Sequence, residues 1–487
     1  MGVLSYLLLI PVLGALIILM TPEKQNKFIR PIAIVHAVAA LLVAWYLIFE
    51  FDTRLASIQF SEHIHWNKRL GTAYSVGING FSFPMILLTT LLCFIAILAS
   101  SAIKQRSKGY YALILLLESA ILGVFVARDW SLFYVFWELT LLPLFFLIDR
   151  YGGKRKHQAS LNFILYTMGG SVFLLVSLLL LFDSLPGHTF NMASMMKGGP
   201  TLAHDTQLII FLGLLIGFGV KMPIFPLHGW LPLAHVEAPS PISILLSGIL
   251  LKMGSYGLIL AAIMLPAAIK TLQPLLAGLA LFSLVYGGLL AWRQTDLKCM
   301  IAYSSVSHMG VVLLGIATLN IAGLTGAMMQ MVAHGLVAGL LFLLIGLLYE
   351  RTHSRNIYYY SSLIRTTPRF AFFTILAFIA AVGIPGTAGF IAELHALIGG
   401  FQQWGWVIAL LSLGVMISAA YAIRTVGRLF TGPVRPQMLV IADLNTVEMF
   451  AAAILSFGII LLGVYPHFAL NLFSSSVADL SHIFQSK

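Results

Sequence analysis

Five ionisable side chains lie within stretches of this sequence that are otherwise apolar. Two are basic, Lys221 and Lys252, and three are acidic, Glu118, Glu138 and Glu393. A charge at the centre of a bilayer costs about 2.5–3.5 kcal/mol on insertion scales, so such side chains usually face the interior of a helix bundle or a hydrated cavity. Any one of them alone is consistent with a structural charge that has a partner. Five together, of both signs, indicate a path for ions or protons.

Histidines lie between these groups along the chain. An imidazole can both donate and accept a proton near neutral pH, which suits a proton relay through poorly hydrated regions. A single histidine in a helix is more often a hydrogen-bonded packing residue. We therefore assign a functional role to His334, at the centre of the apolar segment MMQMVAHGLVAGLLF. His228, His235 and His308, together with Glu118, are secondary candidates.

Two apolar spans contain residues that break helices. The segment GVKMPIFPLHGWLPLAH, residues 219–235, has three prolines, and each removes a backbone donor. The segment AVGIPGTAGFIAE, residues 381–393, has a proline among three glycines. A break within the bilayer is tolerated only where protein or a water-filled cavity satisfies the freed backbone groups. Lys221 lies at the first break and Glu393 at the second, so we expect both breaks to border the ion path.

The composition defines the setting of these groups. The chain has 487 residues, of which 60% are hydrophobic and 9% charged, whereas soluble domains have roughly 25% charged residues. Mean hydropathy is +0.96. Apolar runs near 20 residues recur throughout, which predicts an all-α polytopic membrane protein. We predict about fourteen transmembrane helices, at residues 3–20, 31–51, 81–103, 109–127, 131–148, 159–182, 206–228, 240–264, 271–292, 299–318, 322–349, 370–398, 404–429 and 446–465.

No cofactor or metal site is expected in this chain. Cys93 and Cys299 lie far apart and form no CxxC motif, although a single disulfide between them stays open from sequence alone. No glycine-rich nucleotide fingerprint follows a strand-like segment. If electrons move in this system, we expect them to move in another chain.

Basic residues predict the orientation in the membrane. If both termini lie outside, the inner loops contain 19 of the 28 basic residues. These are Lys24, Lys27, Arg30, Lys104, Arg106, Lys108, Arg150, Lys154, Arg155, Lys156, Arg293, Lys298, Arg351, Arg355, Arg365, Arg369, Arg424, Arg428 and Arg435. The outer segments contain Arg54, Lys68, Arg69, Arg128, Lys197, Lys270 and Lys487. The positive-inside rule then places both termini outside. The net charge of +11 faces anionic lipid, and no nucleic-acid partner is implied.

The spacing of the helices and breaks predicts an internal repeat. Helices four to eight, residues 109–264, and helices nine to thirteen, residues 271–429, each have a break in the fourth helix. Paired broken helices are typical of inverted-repeat transport folds, and an odd number of helices per unit requires the second unit to be inverted. Residues 1–108 supply helices one to three, and residues 430–487 supply helix fourteen and a C-terminal segment.

Several segments in order resemble a known family. They are FYVFWELTLLP, GVKMPIFPLHGWLPLAHVEAP, GILLKMGSYG, QTDLKCMIAYSSVSHMG, QMVAHGLVAGLLF and GIPGTAGFIAE. They are similar to the proton-translocating membrane subunits of respiratory complex I (NADH-quinone oxidoreductase), and most similar to its subunit M branch. The superfamily includes Mrp-type antiporter subunits and membrane subunits of hydrogenase-type complexes. The resemblance covers about residues 110–400 by motif and the whole chain by helix layout.

The resemblance implies roles for individual residues. Glu138 and Lys221 match the family's carboxylate and lysine pair, Lys252 its central lysine, His334 its buried histidine and Glu393 its terminal proton site. Glutamate at position 393 resembles the subunit M branch, whereas Mrp-type antiporter subunits and the other complex I paralogues typically have lysine at this position. The sequence departs from the family at Cys299, where the family usually has arginine. Because of this departure, the motifs do not identify which complex of the superfamily contains the chain.

These roles suggest an electrostatic pump driven by partner chains. A Glu138 carboxylate at about 4 Å would hold the proton on Lys221 with roughly 4 kcal/mol at an effective dielectric constant near 20. If Glu138 moved away, Lys221 would favour the neutral amine, because burial disfavours the charged form. The proton would then pass to Lys252, His334 and Glu393. The first alternative is a sodium/proton antiporter subunit, and the second is a structural subunit whose charges only hold helices together, with Glu393 paired to an arginine such as Arg424.

The resemblance also implies partners and a location. NADH, FMN, iron–sulfur clusters and quinone are expected in partner subunits, and antiporter-like membrane subunits are expected as neighbours. The chain would act as one subunit of a translocase and contain no redox centre. A bacterial inner membrane is the expected location, and a thylakoid or other energy-coupling membrane stays an alternative.

Overall fold

The computed structural model describes residues 2–67, 71–405 and 409–485. The side chains of Glu23, Lys24 and Gln485 are not among the described atoms. Lys68, Arg69 and Lys487, which we placed on the outer side, lie outside the described residues, as do residues 406–408 of the predicted span 404–429.

Helices form almost all of the described chain. They are α1 Val3–Met20, α2 Ile29–Glu50, α3 Phe83–Ala99, α4 Ser107–Val126, α5 Trp130–Leu139, α6 Leu141–Tyr151, α7 Lys156–Ser184, α8 Met192–Gly198, α9 His204–Lys221, α10 Leu231–Glu237, α11 Ser240–Leu245, α12 Leu251–Met264, α13 Pro266–Arg293, α14 Leu297–Ala317, α15 Ile321–Thr352, α16 Leu363–Thr366, α17 Pro368–Ala381, α18 Ala388–Trp404, α19 Leu410–Phe430, α20 Thr446–Val464 and α21 His467–Gln485. A π-helical turn, Leu246–Leu250, joins α11 to α12.

Within the described ranges, 13 helical segments are long and apolar enough to cross a membrane. Two of them unite consecutive helices, α5 with α6 and α11 with α12. The remaining predicted span corresponds to α17 and α18, which are too short individually because a break separates them. The prediction of a multi-pass all-α membrane protein is confirmed.

Both predicted breaks are present. Helix α9 ends at Lys221, and helical structure resumes only at Leu231. Helix α17 ends at Ala381, and α18 begins at Ala388. Gly383 and Gly386 have φ values of +75° and +93° in the second break, a conformation that glycine adopts without steric penalty. The two glycines therefore accommodate the interruption between α17 and α18, which precedes Glu393 in the chain.

Helix α15 forms the centre of the bundle. The most apolar part of its 32 residues is entirely buried, as is that of the segment Ser240–Met264. A Cβ at Gly335 of α15 would lie 2.8 Å from the carbonyl oxygen of Gly248 in the π-helical turn. Small residues at a helix interface let two backbones approach closely. This contact places Lys252, four residues after Gly248, next to α15.

Two elements at the ends of the bundle were not predicted. Strands β1 Gln59–Asn67 and β2 Thr72–Ile78 form an antiparallel hairpin between α2 and α3. Helix α21 follows α20 directly and packs against α3 and α15. The Oγ of Ser476 on α21 accepts a hydrogen bond from the Gly80 amide at 3.1 Å. The cysteines Cys93 and Cys299 are free, so the disulfide left open by the sequence does not form.

The hairpin supplies the N-terminal cap of α1. The Glu62 carboxylate of β1 accepts hydrogen bonds from the amides of Gly2, Leu4 and Ser5 at 2.7–3.1 Å, and from the Ser5 hydroxyl at 2.6 Å. The first amides of a helix lack intrahelical partners, and a carboxylate there also interacts favourably with the helix dipole. One side chain therefore fixes α1 to β1.

We predict that Glu62→Ala exposes the first turn of α1. Loss of a buried acceptor costs about 1–3 kcal/mol, so hydrogen–deuterium exchange at residues 4–7 should become about tenfold faster or more. The exposed neighbour Ser61 provides the control, since Ser61→Ala should leave the exchange rate unchanged. Equal exchange in the two variants would contradict the capping role of Glu62.

Candidate proton path

Lys252 and His334 form the centre of the buried site. The Lys252 ammonium donates to Nδ1 of His334 at 2.7 Å and to the carbonyl oxygen of Ser247 at 2.7 Å. Lys252 is 0% exposed and His334 is 4% exposed. A buried ammonium requires acceptors, because an isolated charge in a low-dielectric interior is strongly disfavoured. His334 is one of these acceptors, so the two residues predicted from the sequence are in direct contact.

Local backbone structure explains this contact. The π-helical turn precedes Lys252 and contains Ser247, whose carbonyl oxygen accepts from the lysine. The Ser247 hydroxyl also contacts the Ser305 hydroxyl of α14 at 2.9 Å. Single π-helical turns within α-helices occur frequently at functional sites. Here the turn directs a carbonyl oxygen toward the ammonium.

The row of ionisable groups continues from His334 to Glu393. The rings of His334 and His308 have centroids 5.5 Å apart, and Nδ1 of His308 lies 3.8 Å from Oε1 of Glu393. The Gln330 side-chain nitrogen lies 3.2 Å from the same His308 nitrogen. A distance of 3.8 Å is longer than a hydrogen bond, and polar groups at such a separation are often bridged by a water molecule.

A small cavity borders this last gap. Its volume is about 10 Å³, and its lining includes His308, His334, Gln330 and Glu393. About 10–15 Å³ suffices for one water, provided that two to four polar partners are available. The cavity is therefore large enough for a single water between the histidines and the carboxylate.

The second helix break shapes the environment of Glu393. An added Cβ at Gly383 would lie 2.5 Å from Oε2 of Glu393. The carboxylate thus occupies the space that any other residue at position 383 would fill. Arg424, the proposed static partner, donates instead to the carbonyl oxygens of Trp292 and Gln294, so the described contacts provide no support for that alternative.

Lys221 lies at the first break with a different partner from the predicted one. Its ammonium donates to the Thr140 hydroxyl at 3.1 Å and lies 4.9 Å from the centre of the Trp137 ring. Among the described residues, no ion pair within 4.0 Å joins Lys221 to Glu138. Oε1 of Glu138 is buried and has no hydrogen-bond partner within the described part of the chain. Glu138 is the penultimate residue of α5 and lies two residues before Thr140, so both potential partners of Lys221 lie at the junction of α5 and α6.

The secondary candidates are buried but are less well connected. Neither ring nitrogen of His235 has a hydrogen-bond partner, and its ring stacks on Phe342 at 4.6 Å. The His228 ring lies against Tyr286 at 5.5 Å. Glu118 is 0% exposed and neither carboxylate oxygen has a partner. Of the four, only His308 joins the row from Lys252 to Glu393.

The sequence analysis missed polar partners and one charged cluster. Thr140, Gln330 and Ser247 carry no charge, and polar residues of this kind are common in helices, so no pattern marked them. A separate cluster surrounds the end of α10, where Lys298 donates to the carbonyl oxygen of Ala238 at 2.8 Å. Ion pairs beside it join Arg355 to Asp296 at 3.0 Å and Arg155 to Glu237 at 3.5 Å.

A helical membrane bundle with a row of buried ionisable groups beside two broken helices has the features of an ion-translocating membrane protein. The model of the NADH:quinone oxidoreductase/Mrp antiporter transmembrane family matches residues 127–418. The chain belongs to this family, and the resemblance derived from its motifs is confirmed.

Individual relatives match over nearly the whole chain. NAD(P)H-quinone oxidoreductase chain 4 2 of Thermosynechococcus vestitus is 40% identical over 481 residues, covering 96% of this chain and 89% of that protein. NADH-quinone oxidoreductase subunit M of Rickettsia conorii is 35% identical and covers 98% of both chains. Among solved structures, a chain of respiratory complex I from Thermus thermophilus has a TM-score of 0.90 at 30% identity, covering 99% of both chains.

We predict that Gly383→Ala impairs transport and that Gly386→Ala does not. Both substitutions place a side chain at positive φ, which costs about 1–2 kcal/mol, but only the Cβ at position 383 clashes with Glu393. Nothing lies within 4 Å of a Cβ at Gly386. The transport rate of the assembled complex should fall at least tenfold in Gly383→Ala alone. Equal rates in the two variants would show that the contact with Glu393 is unimportant.

Proposed function

We propose that this chain is a proton-translocating membrane subunit of an NADH:quinone oxidoreductase complex. The observation that carries the proposal is the continuous buried row formed by Lys252, His334, His308 and Glu393. Each member can gain and lose a proton. Lys252 is hydrogen-bonded to His334, the rings of His334 and His308 have centroids 5.5 Å apart, and His308 lies 3.8 Å from Glu393. The full-length match to chain 4 and subunit M proteins supports the same function.

Lys221 and Glu138 act as the input to this row. Thr140 is a neutral acceptor for Lys221, so it satisfies the ammonium without fixing its charge as a carboxylate would. Movement of Glu138 toward Lys221 would stabilise the protonated amine by roughly 4 kcal/mol at about 4 Å and an effective dielectric constant near 20. Movement away would favour release of the proton toward Lys252. Partner subunits would supply the energy for this movement.

Lys252 passes its proton to His334 along their hydrogen bond. The proton leaves Nζ and binds Nδ1, which leaves a neutral amine and an imidazolium. The imidazolium passes a proton to the neighbouring ring of His308, and Lys252 is then free to accept the next proton from Lys221. The short distance of 2.7 Å makes this the best-defined transfer step in the row.

Glu393 is the terminal acceptor. A water in the adjoining cavity would take a proton from His308 and give one to the carboxylate, so the gap of 3.8 Å is closed without movement of the backbone. The side-chain nitrogen of Gln330 contacts the same Nδ1 of His308, so the carboxamide would turn its oxygen toward Nδ1 when that nitrogen carries the proton. Glu393 would release its proton to the outer side, where the second helix break gives the carboxylate room to become hydrated.

The sodium/proton antiporter is the second candidate function, and a membrane subunit of a related hydrogenase-type complex is close to it. The antiporter alternative is supported by the family description, which names Mrp antiporters beside NADH:quinone oxidoreductase. Hard cations such as sodium prefer oxygen ligands. The centre of the described path consists instead of histidine nitrogens and a lysine, which favours protons as the transported ion. Dependence of transport on sodium would distinguish an antiporter from a proton pump.

The partners and location follow from this function. The neighbours would be other antiporter-like membrane subunits, and NADH, FMN, iron–sulfur clusters and quinone would be bound by partner chains. We place the chain in a bacterial inner membrane or another energy-coupling membrane, with both termini outside because most basic residues lie in the alternate loops. We also propose that residues 109–264 and 271–429 form the two inverted repeats.

The decisive variant is Glu393→Gln, which retains size and hydrogen bonding but removes titration. We predict that the complex assembles, loses most proton translocation and oxidises its donor several-fold more slowly. Asp183→Asn, at an exposed acid, serves as the matched control and should behave as the unmodified protein. The measurement is proton release per electron by the purified complex in sealed vesicles, with and without sodium.

The alternatives predict different results in the same assay. If Glu393 were only structural, the complex that survives would pump normally per electron. An antiporter would transport protons without an electron donor and would respond to sodium. Normal proton-to-electron ratios in an assembled Glu393→Gln complex would therefore overturn the proposed function.

A further inference from the structure

A cavity lined by cations opens at the junction of α4, α6 and α7. Its volume is about 620 Å³, and its charged lining consists of Lys104, Arg106, Arg150 and Lys156, with no carboxylate. Three of these side chains are exposed and Lys156 is half-buried. Four cations around one cavity repel each other unless an anion occupies the space between them. This feature lies outside the proton path and plays no part in it.

The backbone adds positive potential to the same cavity. Helices α4 and α7 begin at Ser107 and Lys156, beside the cavity. Among the described residues, α4 has neither a side-chain cap nor an acidic residue in its first turn. The start of α7 is different, because the amide of its N-cap residue Arg155 already donates to the Glu237 carboxylate at 2.9 Å. The N-terminus of a helix has a partial positive charge and unpaired amides, both of which favour an anion.

Internal contacts hold the walls of the cavity in place without neutralising them. The Tyr151 hydroxyl donates to the carbonyl oxygen of Arg106 at 2.8 Å, and the Lys156 ammonium lies 3.3 Å from the carbonyl oxygen of Arg150. The nearby acid Asp149 is paired with His157 at 2.5 Å. The cationic side chains of the lining therefore remain available for an external anion.

An apolar stripe leads from the cavity down the side of α6. Leu142, Phe146 and Arg150 are spaced four residues apart, so they lie on one helix face. Leu142 and Phe146 are 55% and 36% exposed, and the Arg150 guanidinium lies 5.3 Å from the centre of the Phe146 ring. The cations thus lie at the end of a membrane-spanning helix, above an exposed apolar surface.

We propose that this basic cavity binds the phosphate headgroup of an anionic phospholipid, with the acyl chains along the stripe on α6. A phosphate group satisfies the cations and the uncapped N-terminus of α4, and the acyl chains cover Leu142 and Phe146. A free phosphate ion would leave the stripe uncovered. An acidic protein segment would satisfy the cations but would not explain the exposed apolar stripe next to them.

The test measures local protection by lipid in the purified whole complex. After removal of lipid into a neutral detergent, phosphatidylglycerol or phosphatidylcholine is added, and hydrogen–deuterium exchange is followed at residues 107–110 and 156–159. We predict protection by phosphatidylglycerol alone. Lys104→Gln with Arg150→Gln should raise the lipid concentration needed for half protection about thirtyfold, since each cation near a surface contributes about fivefold.

A charge-matched control uses two exposed arginines elsewhere, Arg293→Gln with Arg365→Gln, which should leave protection unchanged. If the double variant fails to assemble, Lys104→Gln alone should still give a shift of about fivefold. Equal protection by phosphatidylcholine, or by inorganic phosphate at the same concentration, would overturn the proposal. So would protection that persists without lipid and disappears when a neighbouring subunit is removed, because a protein segment would then occupy the cavity.

Discussion

The arrangement of the buried site depends on the hydrogen bond between Lys252 and His334. A lysine deep in a membrane protein must find an acceptor inside the bundle, because neither lipid nor bulk water is available. A carboxylate would neutralise the lysine and fix its proton. A neutral imidazole satisfies the ammonium and can also accept its proton, so the group that stabilises the charge is also the group that we propose moves it.

The surrounding helices are arranged to make this contact possible. The close approach of Gly335 and Gly248 brings α15 against the segment that carries Lys252, and the π-helical turn supplies a second acceptor through Ser247. The two helix breaks lie at the two ends of the proposed route, beside Lys221 and beside Glu393. Each break frees backbone groups and space where a proton has to enter or leave, while the central helices remain continuous and tightly packed.

Much of this organisation was predictable from the sequence because the membrane imposes strong rules. Apolar runs, prolines and intramembrane charges stand out against such a background, so the spans, both breaks and the buried ionisable residues could be predicted directly. Within the described residues, no ion pair within 4.0 Å joins Lys221 to Glu138, and the ammonium donates to the Thr140 hydroxyl. This partner was not predicted, because a hydroxyl group in a helix leaves no pattern in the sequence. Helix α21 was missed because its 19 residues are amphipathic, without the continuous apolar run that marks a membrane span. The β-hairpin was missed because its strands have only nine and seven residues. Gln330 was missed since its role depends on a neighbouring helix.

The central claim is that Lys252, His334, His308 and Glu393 form one relay. Infrared difference spectroscopy of the complex during turnover tests it directly, by following the C=O stretching band of a protonated carboxyl group that disappears in Glu393→Gln. We expect this band to be lost as well in Lys252→Met, although Glu393 is unchanged, because protons no longer reach the carboxylate. A Glu393 band that keeps its full amplitude in an assembled Lys252→Met complex would contradict the relay.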